Sequence, residues 1–319
     1  MTSIDALSTI VAPLGTLASA ERLTGGMFAT THRVTLEDGR RVVVKAAPDE
    51  TDRLLTYEHD VLRTEALVYG LADDRPELLM PTLLLTDFSR TVLPGDAVVV
   101  SHLDGVPLNE VGFEAGDPRL MRAETELGAH LARQVTVTGP LFGYPSNPGL
   151  QAGTWPEAFG LIVEALLADG RRWGTDLPEA EIRAALARHT GALAEVTTPR
   201  LVHTDLWPGN LFVDPSSGAL VGVIDPERAV WGDPLFDLVG SDAMWHGTSA
   251  HLLAGYAAEA GAPWAVDEPA AATRLLLYRV QLALVMLVEI TPRAYEGDWL
   301  VEYVPQLRAI LHRALAGLA

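Results

Sequence analysis

The stretch His203-Thr204-Asp205-Leu206-Trp207-Pro208-Gly209-Asn210, followed by Val223-Ile224-Asp225, constrains this chain more than any other part of its sequence. Between the two pieces, Asp214-Pro215-Ser216-Ser217-Gly218 has the composition of a tight turn and separates the short apolar runs 210–213 and 219–224. The chain is expected to double back there as a hairpin and to return Asp225 to the neighbourhood of Asn210. Two acids and an amide at fixed spacing around a hairpin are a demanding pattern. His-x-Asp alone recurs by chance, but residue type, interval and turn must all coincide here.

Those three groups suit phosphoryl transfer. One carboxylate orients and deprotonates the attacking hydroxyl, while an amide oxygen and a second carboxylate hold the magnesium that bridges the phosphates. Asp205 fits the first role, Asn210 and Asp225 the second. The interval from Asp205 to Asn210 equals that of the protein-kinase catalytic loop. His203 is read as ordering the loop through hydrogen bonds rather than moving protons.

The segment HTDLWPGN...GVIDPERAVWGDPLFDL resembles the motif of the aminoglycoside phosphotransferase superfamily, and its Asp-Leu-Trp is similar to the form found in fructosamine kinases. The resemblance implies an α+β, two-lobed protein-kinase-like fold with ATP between the lobes: a small antiparallel-sheet lobe with one helix, then a larger, mainly helical lobe. It implies Asp205 as catalytic base and Asn210 and Asp225 as magnesium ligands. Two positions depart from the family's habit. Thr204 stands where glycine is frequent, and Pro226 where an aromatic residue is commoner.

A kinase-like small lobe needs a strand lysine, held against the ATP phosphates by a helix carboxylate. Lys45 ends the run Val42-Val43-Val44-Lys45. The apolar positions Leu54, Leu55, Val61, Leu62, Val68 and Leu71 recur at helical spacing over 51–71. Glu58 and Glu65 both interrupt that stripe facing inward, and an inward carboxylate is costly unless paired. Both are candidates for Lys45, and the resemblance of the phrase around Glu65 favours that residue. Gly25, Gly26 and Met27 stand where the family's phosphate loop lies, and Ser101 and Leu103 where its hinge presents main-chain groups to adenine.

Around these residues, 31–36 and 41–46 read as a hairpin across Glu37-Asp38-Gly39-Arg40, and 82–86 and 97–100 as further strands. A linker near 102–107 divides an expected nucleotide-binding lobe, 1–103, from a catalytic and acceptor-binding lobe, 104–319. Helices are expected at 119–136, 156–169, 178–196, 249–260, 270–289 and 300–316. Residues 141–145 and the side chains of Trp155, Trp173, Trp231 and Trp245 are expected to pack. Glu227, Asp233 and Asp237 are expected to cap helices or pair with arginines.

A chain of 319 residues with 48% hydrophobic content can bury two cores, and it has no cysteine for disulfides or thiolate metal sites. Its net charge of -19 argues against nucleic acid as a partner and mildly favours cationic ligands. Residues 275–290 are too interrupted by charge for a membrane span, and the first residues lack a secretory signal, so a cytoplasmic monomer or homodimer with no membrane partner is expected. The implied reaction is transfer of the γ-phosphate of Mg-ATP to a hydroxyl of a small soluble acceptor: an amino sugar or fructosamine first, an aminoglycoside or macrolide antibiotic second. A nucleotide-binding module without turnover is the alternative. A hydrolase using His203, Asp205 and Asp225 would need further metal-ligand histidines at suitable spacing, and the sequence has none.

Overall fold

The computed structural model describes residues 3–23 and 28–319. Five strands, β1 (Leu17–Arg22), β2 (Thr30–Leu36), β3 (Arg41–Ala46), β4 (Leu83–Asp87) and β5 (Ala97–Ser101), form an antiparallel sheet in the order β1-β2-β3-β5-β4. The β2–β3 hairpin closes at Gly39, whose φ of +86° is a conformation glycine adopts without Cβ strain. Period-two alternation then sorts β3: Val42, Val44 and Ala46 pack under helix α1 (Ile4–Val11), while Val43 faces the cluster made by helix α2 (Val61–Asp73). Lys45 shares Val43's face, so the sheet's pleat aims it at α2.

The expected helix over 51–71 begins only at Val61. Asp60 has φ +59°, and before it Thr56–Glu58 is a single 3-10 turn. The apolar positions of 51–60 answer to a different core. Leu55 and Tyr57 are buried among residues of the C-terminal part, where Tyr57 stacks on Tyr144 with ring centroids 5.4 Å apart. Asp169 accepts from the Thr56 amide at 2.7 Å and from its hydroxyl at 3.0 Å, and Asn147 donates to the Thr56 carbonyl at 2.9 Å. This strap crosses the division drawn near residue 103.

The C-terminal part is mostly helical. Two small sheets interrupt it: β6 (Val106–Pro107) beside the hairpin of β10 and β11, and a four-stranded sheet of β7 (Phe142–Gly143), β8 (Gln151–Ala152), β9 (Arg200–Val202) and β12 (Val230–Gly232). The hairpin expected from the turn composition runs from β10 (Leu211–Val213) to β11 (Leu220–Val223). The helices are α3 (Pro118–Gln134), α4 (Trp155–Trp173), α5 (Glu179–Arg188), α6 (Thr190–Ala194), α7 (Leu235–Gly240), α8 (Ala250–Ala260), α9 (Pro269–Val288) and α10 (Leu300–Gly317). The single helix expected over 178–196 is broken at His189 into α5 and α6, and the His189 ring is held by the Leu318 carbonyl at 2.9 Å. By length and composition α9 alone among the described residues passes as a membrane span, yet Leu277, Leu284 and Val288 along it are fully buried by neighbouring helices. Trp155 is enclosed by Phe142, Phe159 and Tyr278, with its indole N–H donating to the Tyr278 hydroxyl.

Candidate active site

The side chain that β3 aims at α2 meets three carboxylates. Lys45 Nζ lies 2.7 Å from Glu65 Oε2, 2.5 Å from Asp225 Oδ1 and 3.6 Å from Glu227 Oε2. Glu65 reaches it because Leu62, Glu65, Ala66 and Tyr69 form one face of α2, and the other three pack beneath Val98 and Val100. Tyr69 ties the same helix to the other lobe. Its hydroxyl oxygen accepts from the Asp225 N–H at 3.1 Å. Glu58, the other candidate partner of Lys45, instead forms an ion pair with Arg293 and accepts from the Leu55 N–H. It sits on the 3-10 turn, so the shared helical face assumed for Glu58 and Glu65 does not exist.

Burial works against every charge in this group. It lifts Glu65 above the usual carboxylate range despite Lys45, and it pushes Glu227 up to about 8, with the Asp225 charge adding to the effect. Asp225 is half-buried, and the Lys45 ammonium outweighs its desolvation and holds its pKa below the ordinary value. One lysine cannot satisfy three carboxylates. Glu65 Oε1 and Glu227 Oε2 are buried with no hydrogen-bond partner.

The segment around Asp205 is fixed through its main chain. His203 accepts from the Asp205 N–H on Nδ1 at 3.3 Å and donates from Nε2 to the Ile224 carbonyl at 2.9 Å, a tautomer set by these partners. Asn210 Nδ2 donates to the Asp205 carbonyl at 2.8 Å, and the Ile224 N–H donates to the Asn210 carbonyl at 3.0 Å. The hairpin therefore brings residues 205, 210 and 225 together. Burial raises the pKa of Asp205, against the pull of the Arg228 guanidinium. Arg228 begins an alternating chain of charges beside Asp205: it meets Glu289 at 2.9 Å, Glu289 meets Arg293 at 3.6 Å, and Arg293 meets Glu58.

Thr204 has φ +67°, a conformation that glycine adopts freely and a β-branched residue only at a cost. Its hydroxyl donates to the Arg228 carbonyl at 2.9 Å, and its N–H donates to Asp237 Oδ1 at 2.8 Å. Asp237 also accepts from Gln134 Nε2 at 2.6 Å, and burial pushes its pKa up to about 6. So Asp237 and Glu227 neither cap helices nor sit at the surface: both are turned inward, one under the catalytic loop and the other against Lys45. Asp233 does pair as expected, with Arg274 at 2.8 Å, and it accepts from the Tyr278 hydroxyl at 2.7 Å.

Helix α7 touches the catalytic loop through Gly240, where an added Cβ would stand 2.4 Å from the Thr204 carbonyl oxygen. Backbone cannot yield as a flexible side chain can. Gly240→Ala is expected to push the loop off Asp237, costing about 1–3 kcal/mol of stability by overpacking and lowering turnover more than nucleotide affinity. Urea unfolding and initial rates on the same preparation check this.

The remaining expected site residues divide. Gly25, Gly26 and Met27 lie outside the described residues. Ser101 spends its N–H on the Thr82 carbonyl and accepts from the Thr82 N–H on its hydroxyl, both at 2.9 Å, so it has no main-chain donor left for a base. The Leu103 side chain docks on Gly222 of β11, where a Cβ would meet it at 2.4 Å. Tyr69, Arg228, Arg293 and Gln134 were not singled out in the sequence. Arg293 and Gln134 reach the site from distant elements, whereas Tyr69 stands one turn beyond Glu65 on α2 and Arg228 three residues after Asp225.

A hard divalent cation fits this donor set. The Asn210 amide nitrogen is occupied, which turns its oxygen free, and ligand oxygens of Glu65, Asp225 and Glu227 lie within 4.8 Å of one another. An all-oxygen set with two unpartnered buried carboxylate oxygens is suited to magnesium rather than to zinc.

Comparison with known proteins bears on the fold and the family. The family model described as "Phosphotransferase enzyme family" matches residues 19–272. The chain is similar to a structure from Thermobifida fusca described as a fructosamine-3-kinase, with 21% identity, TM-score 0.68 and coverage of 97% of this chain and 100% of that one. It is similar to a structure from Ralstonia eutropha described as an aminoglycoside phosphotransferase, with 14% identity, TM-score 0.66 and coverage of 99% and 98%. It is also similar to the choline kinase LicA of Streptococcus pneumoniae, with 17% identity, TM-score 0.66 and coverage of 97% and 98%. A search of curated proteins finds no match. These structures share the two-part, protein-kinase-like α+β fold, and the match over residues 19–272 places the chain in the phosphotransferase enzyme family.

Proposed function

We propose that the chain transfers the γ-phosphate of Mg-ATP to a hydroxyl of a small soluble acceptor, with Asp205 as base. The observation that carries this reading is the convergence of Lys45, Glu65 and Asp225 at the open end of the β10–β11 hairpin, the same end at which Asn210 is tied to the Asp205 carbonyl and to Ile224. Lys45, positioned by Glu65, binds the ATP phosphates. Asn210 and Asp225, with Glu227 beside them, hold magnesium, which when bound offsets charge on the triphosphate. Gly25, Gly26 and Met27 supply phosphate-facing amides, and the main chain at Ser101 and Leu103 faces adenine, Ser101 through its carbonyl because its N–H is on Thr82. The acceptor hydroxyl gives its proton to Asp205 as its oxygen bonds to the γ-phosphorus and the bond to the ADP oxygen breaks.

The solved aminoglycoside phosphotransferase APH(4)-Ia, in a ternary complex with AMP-PNP and hygromycin B, is similar to this chain at TM-score 0.62 and 18% identity, which supports ATP as donor and a small acceptor. An amino sugar or glycated amine is the acceptor class favoured by the Asp-Leu-Trp motif, ahead of an antibiotic. The net charge of -19 is not the reason, because the wall next to Asp205 is electrically balanced by the Arg228–Glu289–Arg293–Glu58 chain. Action in the cytoplasm, as a monomer or homodimer, without nucleic acid or membrane, completes the reading.

Its test is ADP release from Mg-ATP with a panel of amino sugars, glycated amines, aminoglycosides, macrolides and choline. Acceptor-dependent turnover is expected on at least one class. Tight ATP binding with no turnover on any would replace the kinase by a nucleotide-binding module.

A further inference from the structure

A cavity of about 110 Å³ lies between α7, α9 and the loop after α7, walled by Leu238, Asp242, Trp245, Thr248, Leu276 and Arg279. It is separate from the catalytic loop. Arg279 precedes Glu289, the partner of Arg228, by ten residues on α9 and its C-terminal cap, about 15 Å at 1.5 Å per residue.

The cavity is built around a guanidinium removed from water. Arg279 is 6% exposed, donates to the Asp242 carbonyl, and lies 2.9 Å from the Asp242 carboxylate. That carboxylate is shared: it also accepts from the His246 N–H at 2.8 Å and the Gly247 N–H at 3.0 Å. A second cation stands close by. Arg279 and Arg313 both lie over the Trp245 ring, at 5.4 Å and 3.8 Å from its centroid, and Arg313 has no carboxylate within ion-pair distance among the described residues. Burial, with the Arg313 charge adding to it, holds Arg279 below its ordinary pKa in spite of Asp242. In a chain of net charge -19, this is a place where positive charge is under-compensated. Trp245 itself is held at φ +58°, an outlier for a bulky residue and a kind of strain that collects at ligand sites.

We propose that this cavity binds a small monocarboxylate, its anionic end on Arg279 and its short apolar body against Leu238, Leu276 and Trp245. Neither the kinase reaction nor its acceptor is needed for this site. Its occupant would touch α7, the helix whose Asp237 holds the Thr204 amide, and so rest against the support of the catalytic loop.

The probes are propionate and its neutral isostere propionamide, titrated calorimetrically into the full chain at constant ionic strength. Propionate is expected to bind once, in the millimolar range, and propionamide at least ~10-fold more weakly, since a hydrogen bond to a charged group is the stronger kind. Arg279→Met combined with Asp242→Asn removes the ion pair without leaving either partner charged and alone, and is expected to lose propionate binding. Leu276→Phe fills the cavity with the charges untouched and is expected to lose it too, which keeps the test valid if the double variant fails to fold. Equal binding of the two probes, no propionate binding, or propionate binding retained in a folded variant of either kind overturns the proposal.

Discussion

Replacing Asp205 by asparagine is expected to lower kcat by about 10²–10⁴-fold, the range for loss of a positioned general base, with little change in ATP affinity or stability. The reason lies in how the loop is tied. Residue 205 is held by its N–H on His203 and by its carbonyl under Asn210, while its side chain carries none of these contacts. An asparagine of the same shape leaves them all in place, so the loss is one of chemistry rather than of fold. Burial raises the pKa of Asp205, so the native enzyme should lose activity on acidification at a higher pH than a surface aspartate would dictate. That acidic limb should be missing from whatever activity the variant keeps. Acceptor-dependent ADP release across pH, with urea unfolding of both proteins, decides it. A variant as active as the native chain would remove Asp205 from the mechanism.

The parts of this molecule legible in its sequence are those written in local patterns. The β2–β3 hairpin follows from a run of three valines and an Asp-Gly turn, and the β10–β11 hairpin from Asp214-Pro215-Ser216-Ser217-Gly218. Long amphipathic helices announce themselves by period, and their ends fell within a few residues. What was misread had the right residues in the wrong context. Leu54 and Leu55 keep helical spacing with Val61, yet Leu55 and Tyr57 are drawn into the other lobe's core, so the chain makes only a single 3-10 turn there and the helix starts after Asp60. Glu58 then finds a cation 235 positions away in sequence, in Arg293, which no spacing argument can supply. The same holds for Glu227 and Asp237. Beside the motif they read as exposed acids, and only tertiary burial shows that one faces Lys45 and the other the Thr204 amide. Ser101 holds the strand position expected of it, with its N–H on the Thr82 carbonyl, a pairing that no local pattern announces.

Lys45→Met is expected to destabilise the chain at pH 8 by about 3–5 kcal/mol, the usual consequence of removing one partner from a buried ionic group. Glu65, Asp225 and Glu227 would be left facing one another, with Tyr69 as a neutral neighbour. Each carboxyl would then favour its protonated form more than it does now. Glu65 and Glu227 are raised by burial even in the native protein, and Asp225 is held low mainly by Lys45. The sign of the pH dependence follows. A carboxyl whose folded pKa lies above its unfolded value binds more protons in the folded state, so stability falls as pH rises between the two values. Glu227, pushed up to about 8 from an ordinary 4.5, already contributes such a slope. In the variant Asp225 joins it, and the difference from the native protein should widen from pH 5 to pH 8. Magnesium should recover part of the loss at pH 8, because the same oxygens can then share a cation again. Urea unfolding at both pH values, with and without magnesium, reads all of this from one sample. Parallel stability curves for the two proteins would mean that the three acids do not depend on Lys45, and the convergence on which the kinase assignment of these residues rests would be lost.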